Sequence, residues 1–320
     1  MWEVIETAKT VAQKSSLVRI DGEALARFSR KLVAEHIEVP PWDRRYHFSD
    51  GGKETVSYVL ILDSLNFCFW PEAGRAKWEI EYGSTKLSGY YALAACLKQA
   101  VELGVPITNA EYLAGLSMGE LKKIFDGQGE LQLLKNRLNI LNELGHVLLR
   151  DYSGQAYKLV EAAGGSALKL VWLLAEKFSS FMDVAQYLDR KVFFFKRAQI
   201  LAADLYGTFE GKDWGKFADI DKLTAFADYK LPQLLRHIGI FRYEPALAQK
   251  VDQKALLEAG GTEEVEIRAN TIWAVELIRQ ELHQMGKVIR AFEVDWILWN
   301  LSQDEAFKVK PYHRALTIFY

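Results

Sequence analysis

The sequence predicts a mainly α-helical protein. Apolar residues recur at helical spacing through most of the 320 residues, and strand-like pieces are few. Only seven prolines interrupt the chain, and we find no repeat, low-complexity tract or long Gly/Ser linker that would divide it. We therefore expect one compact helical domain over residues 1–320 with a few short strands, or two helical lobes of that domain around a cleft.

The predicted helices follow one another along the chain. The first, "DGEALARFSRKLVAEHI", has Asp21 as its expected N-cap and places Leu25, Phe28 and Leu32 on one face. The second, "TKLSGYYALAACLKQAVELG", ends at Gly104, just before a proline. The remaining predicted helices show the same spacing: "NAEYLAGL", "MGELKKIF", "LQLLKNRLNILNELGHVLLRDY", "SALKLVWLLAEKF", "VFFFKRAQILAADLYGTF", "KLPQLLRHIG" and "IWAVELIRQELHQMG". Strands are predicted for "SYVLILD" and for the final "RALTIFY".

Composition and charge narrow the classes of function. Half of the residues are hydrophobic and 26% are charged, which is typical of a globular protein with a sizeable core. The formal charge of -2 lacks the basic excess of a protein that grips a long nucleic-acid backbone, whereas a small anionic substrate is compatible with it. The chain has only two cysteines, its opening lacks a signal peptide, and no apolar run reaches about 20 residues. We therefore expect a reduced, cytoplasmic, soluble monomer with no membrane partner.

Two familiar motifs are present only in part. "GLSMG" fits the nucleophile elbow G-x-S-x-G, but a helix rather than a strand precedes Ser117, and Glu120 three residues later predicts a capping box. "SDGGKET" resembles a P-loop without its first glycine or its final hydroxyl, so we interpret it as a turn. The six histidines and two cysteines show no metal-ligand spacing, and no G-x-G-x-x-G follows a strand, so neither a metal nor another cofactor is predicted.

Charged residues inside an apolar helix are the more informative signal. In "FFFKRAQILAADLYG", Arg197 and Asp204 are seven residues apart and share a face, about 10 Å apart along the axis. The helix is apolar nearly all round, which predicts burial, and buried charges are costly unless they are paired or used. Two interpretations follow. The charges form a structural ion pair, or Lys196 and Arg197 bind a phosphate while Asp204 faces a reacting centre.

Two further segments carry charges beside predicted helices. In "FADIDKLTAFADYKLPQLLRHIG", Asp228 comes directly before a helix, as an N-terminal cap or as a second carboxylate facing Asp204 across a cleft. In "EVEIRANTIWAVELI", Glu266 and Arg268 are expected just before an apolar helix, where helix entry and a surface ion pair are the simple interpretation. "LNFCFWPE" adds a cluster of rings, which is either core or the floor of a pocket for a flat ligand.

Taken together, "LNFCFWP", "KRAQILAAD", "FADYKLPQLLRHIG" and "EVEIRANTIWAVEL" resemble one family, the queuosine salvage proteins, which are queuosine 5′-phosphate N-glycosylases. The ending "PYHRALTIFY" is similar as well, so the resemblance runs from about residue 20 to the last residue. It implies a mostly helical fold related in shape to helix-hairpin-helix DNA glycosylases. It also implies hydrolysis of queuosine 5′-monophosphate to queuine and ribose 5-phosphate, in the salvage of a modified tRNA base.

The resemblance gives the candidate residues their roles. An ionised carboxylate near C1′ would stabilise the oxocarbenium-like sugar and orient the attacking water, with Asp204 as first choice and Asp228 as second. Residues with an acceptor oxygen or a ring face are assigned to the base: Asp63, Asn66, Phe67, Phe69 and Trp70. Residues with a donor are assigned to the phosphate and the sugar: His47, Lys196, Arg197, Lys230 and Arg268.

Three rival functions remain at this stage. A glycosylase acting on tRNA or DNA would need a basic track and a base-flipping wedge. A helical protein that only binds queuine would keep the aromatic segment but would not need Asp204. A serine hydrolase would depend on Ser117.

Overall fold

The computed structural model describes residues 2–320 and is mainly helical, with 55% of the chain in helices. The described chain contains α1 (Glu3–Lys14), α2 (Gly22–Ala34), α3 (Lys53–Ser64), α4 (Gly89–Glu102), α5 (Ala110–Gly115), α6 (Met118–Ile124), α7 (Leu134–Tyr152), α8 (Ala156–Ala162), α9 (Ala167–Lys177), α10 (Lys196–Thr208), α11 (Lys230–His237), α12 (Pro245–Asp252), α13 (Thr262–Gln284) and α14 (Ala291–Leu301). The predicted fold class, a mainly α protein with a few short strands, is confirmed.

The strands form four separate pairs. Their bounds are β1 (Val18–Ile20), β2 (Glu79–Tyr82), β3 (Thr85–Ser88), β4 (Val184–Tyr187), β5 (Arg190–Phe193), β6 (Phe241–Tyr243), β7 (Leu256–Leu257) and β8 (Arg314–Ala315). The pairs β1–β6, β2–β3 and β4–β5 are antiparallel, and β7–β8 is parallel. Pairs this short cannot form a sheet layer, so helix packing builds the core.

The prediction of a strand at "SYVLILD" was wrong, because this segment belongs to α3. Every residue of α3 from Val59 to Ser64 is buried, so no polar face reveals the helical period. A short apolar run of this kind is compatible with a buried strand or a buried helix. The prediction at "RALTIFY" holds only for the two residues of β8.

The predicted start of the second helix was also wrong. Residues Thr85–Ser88 form β3, and α4 begins at Gly89. Gly89 has a φ of 63°, a conformation that favours glycine and lets the chain turn from strand to helix. By contrast, Asp21 caps α2 as predicted, accepting a hydrogen bond from the backbone N–H of Ala24 at 2.9 Å.

Buried apolar side chains form two clusters that meet along α13 and α14. On α13, Val265 and Ile272 belong to the larger cluster, while Ile267 and Ile278 belong to the smaller one. The larger cluster is built mainly by α3, α4, α7, α9 and α10, and the smaller one mainly by α2, α11, α12 and α13. Assignment of the whole chain to one domain stays a prediction.

Neither cysteine is paired, and both are buried. Among the described helices, none combines the length and apolar character that a bilayer crossing requires.

Candidate active site

A cavity of about 920 Å³ lies where α4, α10, α11, α14 and the segment after α3 come together. This volume is at the upper end of the range for small-molecule sites. Cationic side chains in its lining outnumber acidic ones by nine to four, so the cavity favours an anionic ligand. Most of the cations belong to loops and turns at the rim, whereas three of the acids come from helical or helix-preceding positions: Asp204, Asp228 and Asp295.

The structure brings eight of the twelve predicted site residues together in the lining of this cavity: His47, Asn66, Phe67, Phe69, Lys196, Asp204, Asp228 and Lys230. Four do not line it: Asp63, Trp70, Arg197 and Arg268. These eight residues come from several segments that are far apart in sequence, so only the tertiary fold could show that they share one cavity.

Two of the predicted phosphate ligands are committed to internal partners instead. Arg197 donates to the main-chain oxygens of Ser64 and Ser180. Arg268 lies within α13 rather than before it, and forms a two-point ion pair with Asp183, with N–O distances of 2.6 and 2.9 Å. Each is only 2% exposed. The placement of Arg268 at a surface helix entry was therefore wrong, because α13 begins earlier and directs this side chain into the core.

Asp204 lies on α10 beside a second carboxyl group, Asp63 of α3. Burial raises the pKa of Asp204, opposed by hydrogen bonding from Tyr90, by the charge of Lys196 and by contact with Asp63. Burial and the charge of Asp204 together raise the pKa of Asp63 well above its usual range. Two adjacent buried carboxyls cannot both ionise at low cost, so the pair holds a proton at neutral pH.

A chain of polar groups leads from Asp204 to the rim. Oη of Tyr90 lies 3.4 Å from Oδ2 of Asp204 and 2.9 Å from Nε2 of His47. Nδ1 of His47 lies 2.5 Å from the main-chain oxygen of Asp43, which can only accept, so Nδ1 carries the proton. Burial lowers the pKa of His47 to about 4, so the ring is neutral and Nε2 accepts from Tyr90. The same phenol is the donor in its 3.4 Å contact with Oδ2 of Asp204, so its single proton is shared between His47 and Asp204.

Asp228 has different surroundings. Its Oδ1 accepts from the backbone N–H groups of Lys230 and Leu231, at 2.7 and 3.0 Å, in the first turn of α11. Burial raises the pKa of Asp228, but the charge of Lys196, these two N–H groups and the charge of Lys230 all oppose that rise. Asp228 therefore binds the first N–H groups of α11, as the cap interpretation expected, and the same residue also lines the cavity.

Lys196 connects the acids to the aromatic segment. It is 4% exposed, and its Nζ donates to the main-chain oxygen of Asn66 at 2.9 Å. Burial lowers its pKa to about 8, opposed by the charge of Asp228. This ammonium group is therefore easier to deprotonate than that of an exposed lysine, and the charge of Asp228 is the largest effect that keeps it protonated.

The aromatic segment "LNFCFWPE" contributes both to the cavity and to the core, the two roles that the sequence left open. Asn66, Phe67 and Phe69 line the cavity, whereas Cys68 and Trp70 are buried outside its lining. Cys68 has a φ of 47°, which turns the chain so that its neighbours on either side face the same cavity. Core packing thus accounts for Trp70.

Comparison with known proteins decides the family. The model of the queuosine salvage protein family matches residues 46–320. The chain belongs to this family. A protein of Sphaerobacter thermophilus is 46% identical over 317 residues, covering 99% of this chain and 97% of that protein. Proteins of Mus musculus and Schizosaccharomyces pombe are 37% and 30% identical over 98% and 97% of this chain, and over 98% and 94% of their own lengths.

All three relatives carry the name queuosine 5′-phosphate N-glycosylase/hydrolase. The family that the sequence motifs indicated is confirmed. The name matches the activity that the resemblance implied.

Sequence reasoning missed part of this queuosine salvage protein's cavity. Asp295 of α14 lines it, and its Oδ1 accepts from the backbone N–H of Phe226 at 2.7 Å. Burial, together with the charge of Asp228, raises the pKa of Asp295 well above its usual range. An acid within the apolar stretch "AFEVDWILWNL" is the same signal that identified Asp204, so Asp295 could have been found. Tyr90, in "GYYAL", shows no comparable signal.

Ser117 has a structural role in this member of the family. Ser117 and Glu120 form the predicted capping box at the start of α6, with Ser117 N–H donating to Glu120 at 2.9 Å. A helix and not a strand precedes Ser117, and it lies outside the cavity lining. Within residues 2–320, no group of three His, Cys, Asp or Glu side chains is placed to hold a metal ion.

Proposed function

We propose that this chain is an N-glycosidase that hydrolyses queuosine 5′-monophosphate to queuine and ribose 5-phosphate, for salvage of the modified tRNA base. The names of the relatives support this activity, and the chain aligns over nearly their whole length. One structural observation carries the chemistry. A carboxylate held by two helix amides, Asp228, faces a cationic cavity beside a buried ammonium group.

Breaking an N-glycosidic bond develops positive charge at C1′ of the ribose. A fixed anion next to C1′ stabilises that charge most in the transition state, and so accelerates the reaction. The sequence ranked Asp204 first for this role and Asp228 second. We now favour Asp228, because Asp204 shares a proton with Asp63 whereas two N–H groups and two lysines favour the ionised form of Asp228.

The hydrolysis then needs a water molecule on the sugar face opposite the base. Asp228 orients this water and accepts its proton as the C1′–O bond forms. The electrons of the broken bond leave on the base nitrogen, which takes up a proton to give queuine. Asp204, in its protonated form, is a hydrogen-bond donor to the substrate, and Tyr90 holds it in place.

The remaining lining residues suit the other parts of the nucleotide. Phe69, which is only partly buried, offers a ring face for stacking, which is worth about 1–3 kcal/mol per base in nucleic-acid systems, and Phe67 beside it is 1% exposed. The side chain of Asn66 and the free oxygen of Asp295 can accept from the N–H edge of a 7-deazaguanine. Lys230 and Lys196 are the cations for the 5′-phosphate, whereas both ring nitrogens of His47 are already bound, to Asp43 and Tyr90.

We further propose that the enzyme works as a cytoplasmic monomer on the free nucleotide, without a cofactor. The cavity is concave, and its volume of about 920 Å³ suits a mononucleotide rather than a duplex. The rival of a glycosylase that acts on a polymer predicts activity on intact tRNA that falls steeply with salt. The rival of a non-catalytic queuine carrier predicts binding without turnover.

One assay tests the activity and both rivals. Purified protein is incubated separately with queuosine 5′-monophosphate, with queuosine and with queuosine-containing tRNA, and the released queuine is quantified by liquid chromatography. We expect release from the monophosphate, equimolar ribose 5-phosphate and no release from tRNA. Release from tRNA alone would favour the polymer-acting glycosylase. Tight binding of queuine with no release from any substrate would favour the carrier.

A further inference from the structure

Five successive main-chain oxygens in the aromatic segment, those of residues 64–68, are all bound by buried cations. Arg197 donates to Ser64, and Lys196 donates to Asn66 at 2.9 Å. Arg137 donates to the oxygens of Leu65, Phe67 and Cys68, at 2.5, 2.6 and 3.3 Å. We call these three side chains, Arg137, Lys196 and Arg197, the cation cradle. It holds the segment that supplies one wall of the cavity.

Arg137 contributes most of these bonds. It lies near the start of α7, is fully buried, and uses its Nε to bind the oxygen of Gln132 at 3.0 Å as well. Its guanidinium carbon is 4.2 Å from the ring centroid of Phe67 and 5.3 Å from that of Phe69. Unlike Lys196, it does not line the cavity. Arg137 therefore touches both aromatic wall residues without being able to touch the substrate.

The ring of Phe67 lies between two guanidinium groups. Arg137 is 4.2 Å and Arg197 is 5.0 Å from its centroid. The cradle thus fixes both the main chain and the ring orientation of this segment. The strained backbone at Cys68, with a φ of 47°, falls at the last of the five bound oxygens.

Burying these three cations lowers the stability of the fold, so stability alone does not explain the cradle. In residues 2–320, no side-chain nitrogen of the cradle lies within 4.0 Å of a carboxylate, and the charges of Asp183 and Asp228 act from farther away. Buried charges without a close counter-ion cost several kcal/mol, and apolar replacements of similar volume often stabilise a fold. All five hydrogen bonds go to the main chain of one cavity wall. We therefore attribute the cradle to the need to hold this wall in one fixed conformation.

We propose that Arg137 is a positioning residue for base recognition, which holds Asn66, Phe67 and Phe69 in the orientation that receives the flat base. The inference rests on the proposed function, in which a queuine base occupies this cavity. It assigns no contact with the substrate to Arg137. It predicts instead that base binding depends on Arg137, whereas phosphate and ribose binding does not.

The test compares Arg137→Lys and Arg137→Met with a control on the same helix. Lysine keeps the charge but lacks the planar fork that reaches several oxygens at once. In the control, Asn142→Leu, the lost side chain also binds main-chain oxygens, those of Leu113, Ala114 and Leu116, but it lies outside the cavity lining. Queuine and ribose 5-phosphate binding are measured by calorimetry, alongside the folded fraction and the KM and kcat for the nucleotide.

For both Arg137 variants we expect queuine to bind about tenfold or more weakly, a loss in the range of one base stack, with ribose 5-phosphate binding unchanged. KM should rise more than kcat falls, and Asn142→Leu should leave both affinities unchanged. Equal losses for the two ligands, or wild-type queuine affinity in folded Arg137→Lys, would refute the role of Arg137. If Arg137→Met does not fold, the lysine variant decides. A wild-type protein that binds queuine but never cleaves the nucleotide refutes the proposed function and leaves the role of Arg137 to be judged by binding alone.

Discussion

Asp204 and Asp228 are the same residue type in the same cavity, yet their surroundings favour opposite charge states. Asp204 projects from the middle of α10 towards another carboxyl, Asp63, and a phenol, Tyr90. Asp228 precedes α11 and meets two backbone N–H groups and two lysines. Burial raises both pKa values, opposed at Asp204 by Tyr90, Lys196 and Asp63, and at Asp228 by two backbone N–H groups and two lysines. The neighbours that the fold supplies, more than burial itself, decide which acid remains an anion.

This difference implies a division of labour. An anion is needed where the sugar becomes cationic, and a proton donor is useful where the substrate presents acceptor oxygens. One cavity can provide both with two aspartates if their pKa values are pushed apart. Three experiments test whether the two aspartates differ in charge.

The largest effect is expected for Asp228→Asn. This change removes the anion near C1′ and should lower kcat by about 10²–10³-fold, in the range seen when one preorganised electrostatic group is lost. KM should change little, because the amide is nearly the same size. Single-turnover release of queuine measures the chemical step directly. A kcat within a few-fold of wild type would remove Asp228 from the proposed role.

A smaller effect is expected for Asp204→Asn. An amide imitates a protonated carboxyl, since it keeps one N–H donor and one acceptor oxygen, so kcat should fall only about tenfold or less. Asp204→Leu, which removes the polar group, serves as the contrasting variant and should lose more. If Asp204→Asn instead costs more than Asp228→Asn in the same assay, the original ranking from the sequence is restored.

The smallest effect concerns stability and pH. The pKa of Asp204 rises from 3.8 to about 8 in the folded chain. Because the folded state keeps a proton that the unfolded chain has lost, the free energy of unfolding should fall as the pH rises within this interval. The slope is at most about 1.4 kcal/mol per pH unit for each retained proton. The slope of the unfolding free energy against pH should be smaller in Asp204→Asn than in the wild type.

Urea unfolding between about pH 6.5 and 7.5 measures this slope with the fewest other contributions. Below that window, the lowered pKa values of buried His47 and His313 make stability fall with acidity. Above it, Lys196 and Lys230, whose pKa values are lowered to about 8, make stability rise with pH, opposite to the effect of Asp204. Identical slopes in the wild type and in Asp204→Asn would show that Asp204 holds no extra proton in the folded state.

The sequence by itself determined the fold class, most helices, the caps at Asp21 and Ser117, and the family, because local periodicity, short-range hydrogen bonds and long motifs are properties of contiguous residues. It also marked Asp204 and Asp228, since a charge in an apolar stretch stands out without knowledge of the fold. It failed at α3, where burial on every side erased the periodicity.

Only the tertiary structure decided which marked residues reach the cavity and in which charge state. Arg197 and Arg268 are as conspicuous in sequence as Lys196, yet they bind main-chain oxygens and Asp183 instead. The pairing of Asp63 with Asp204, and of Arg137 with residues 65–68, joins positions about 70 to 140 residues apart. No local sequence pattern predicts these contacts. They form because packed helices bring distant side chains together and remove the water between them.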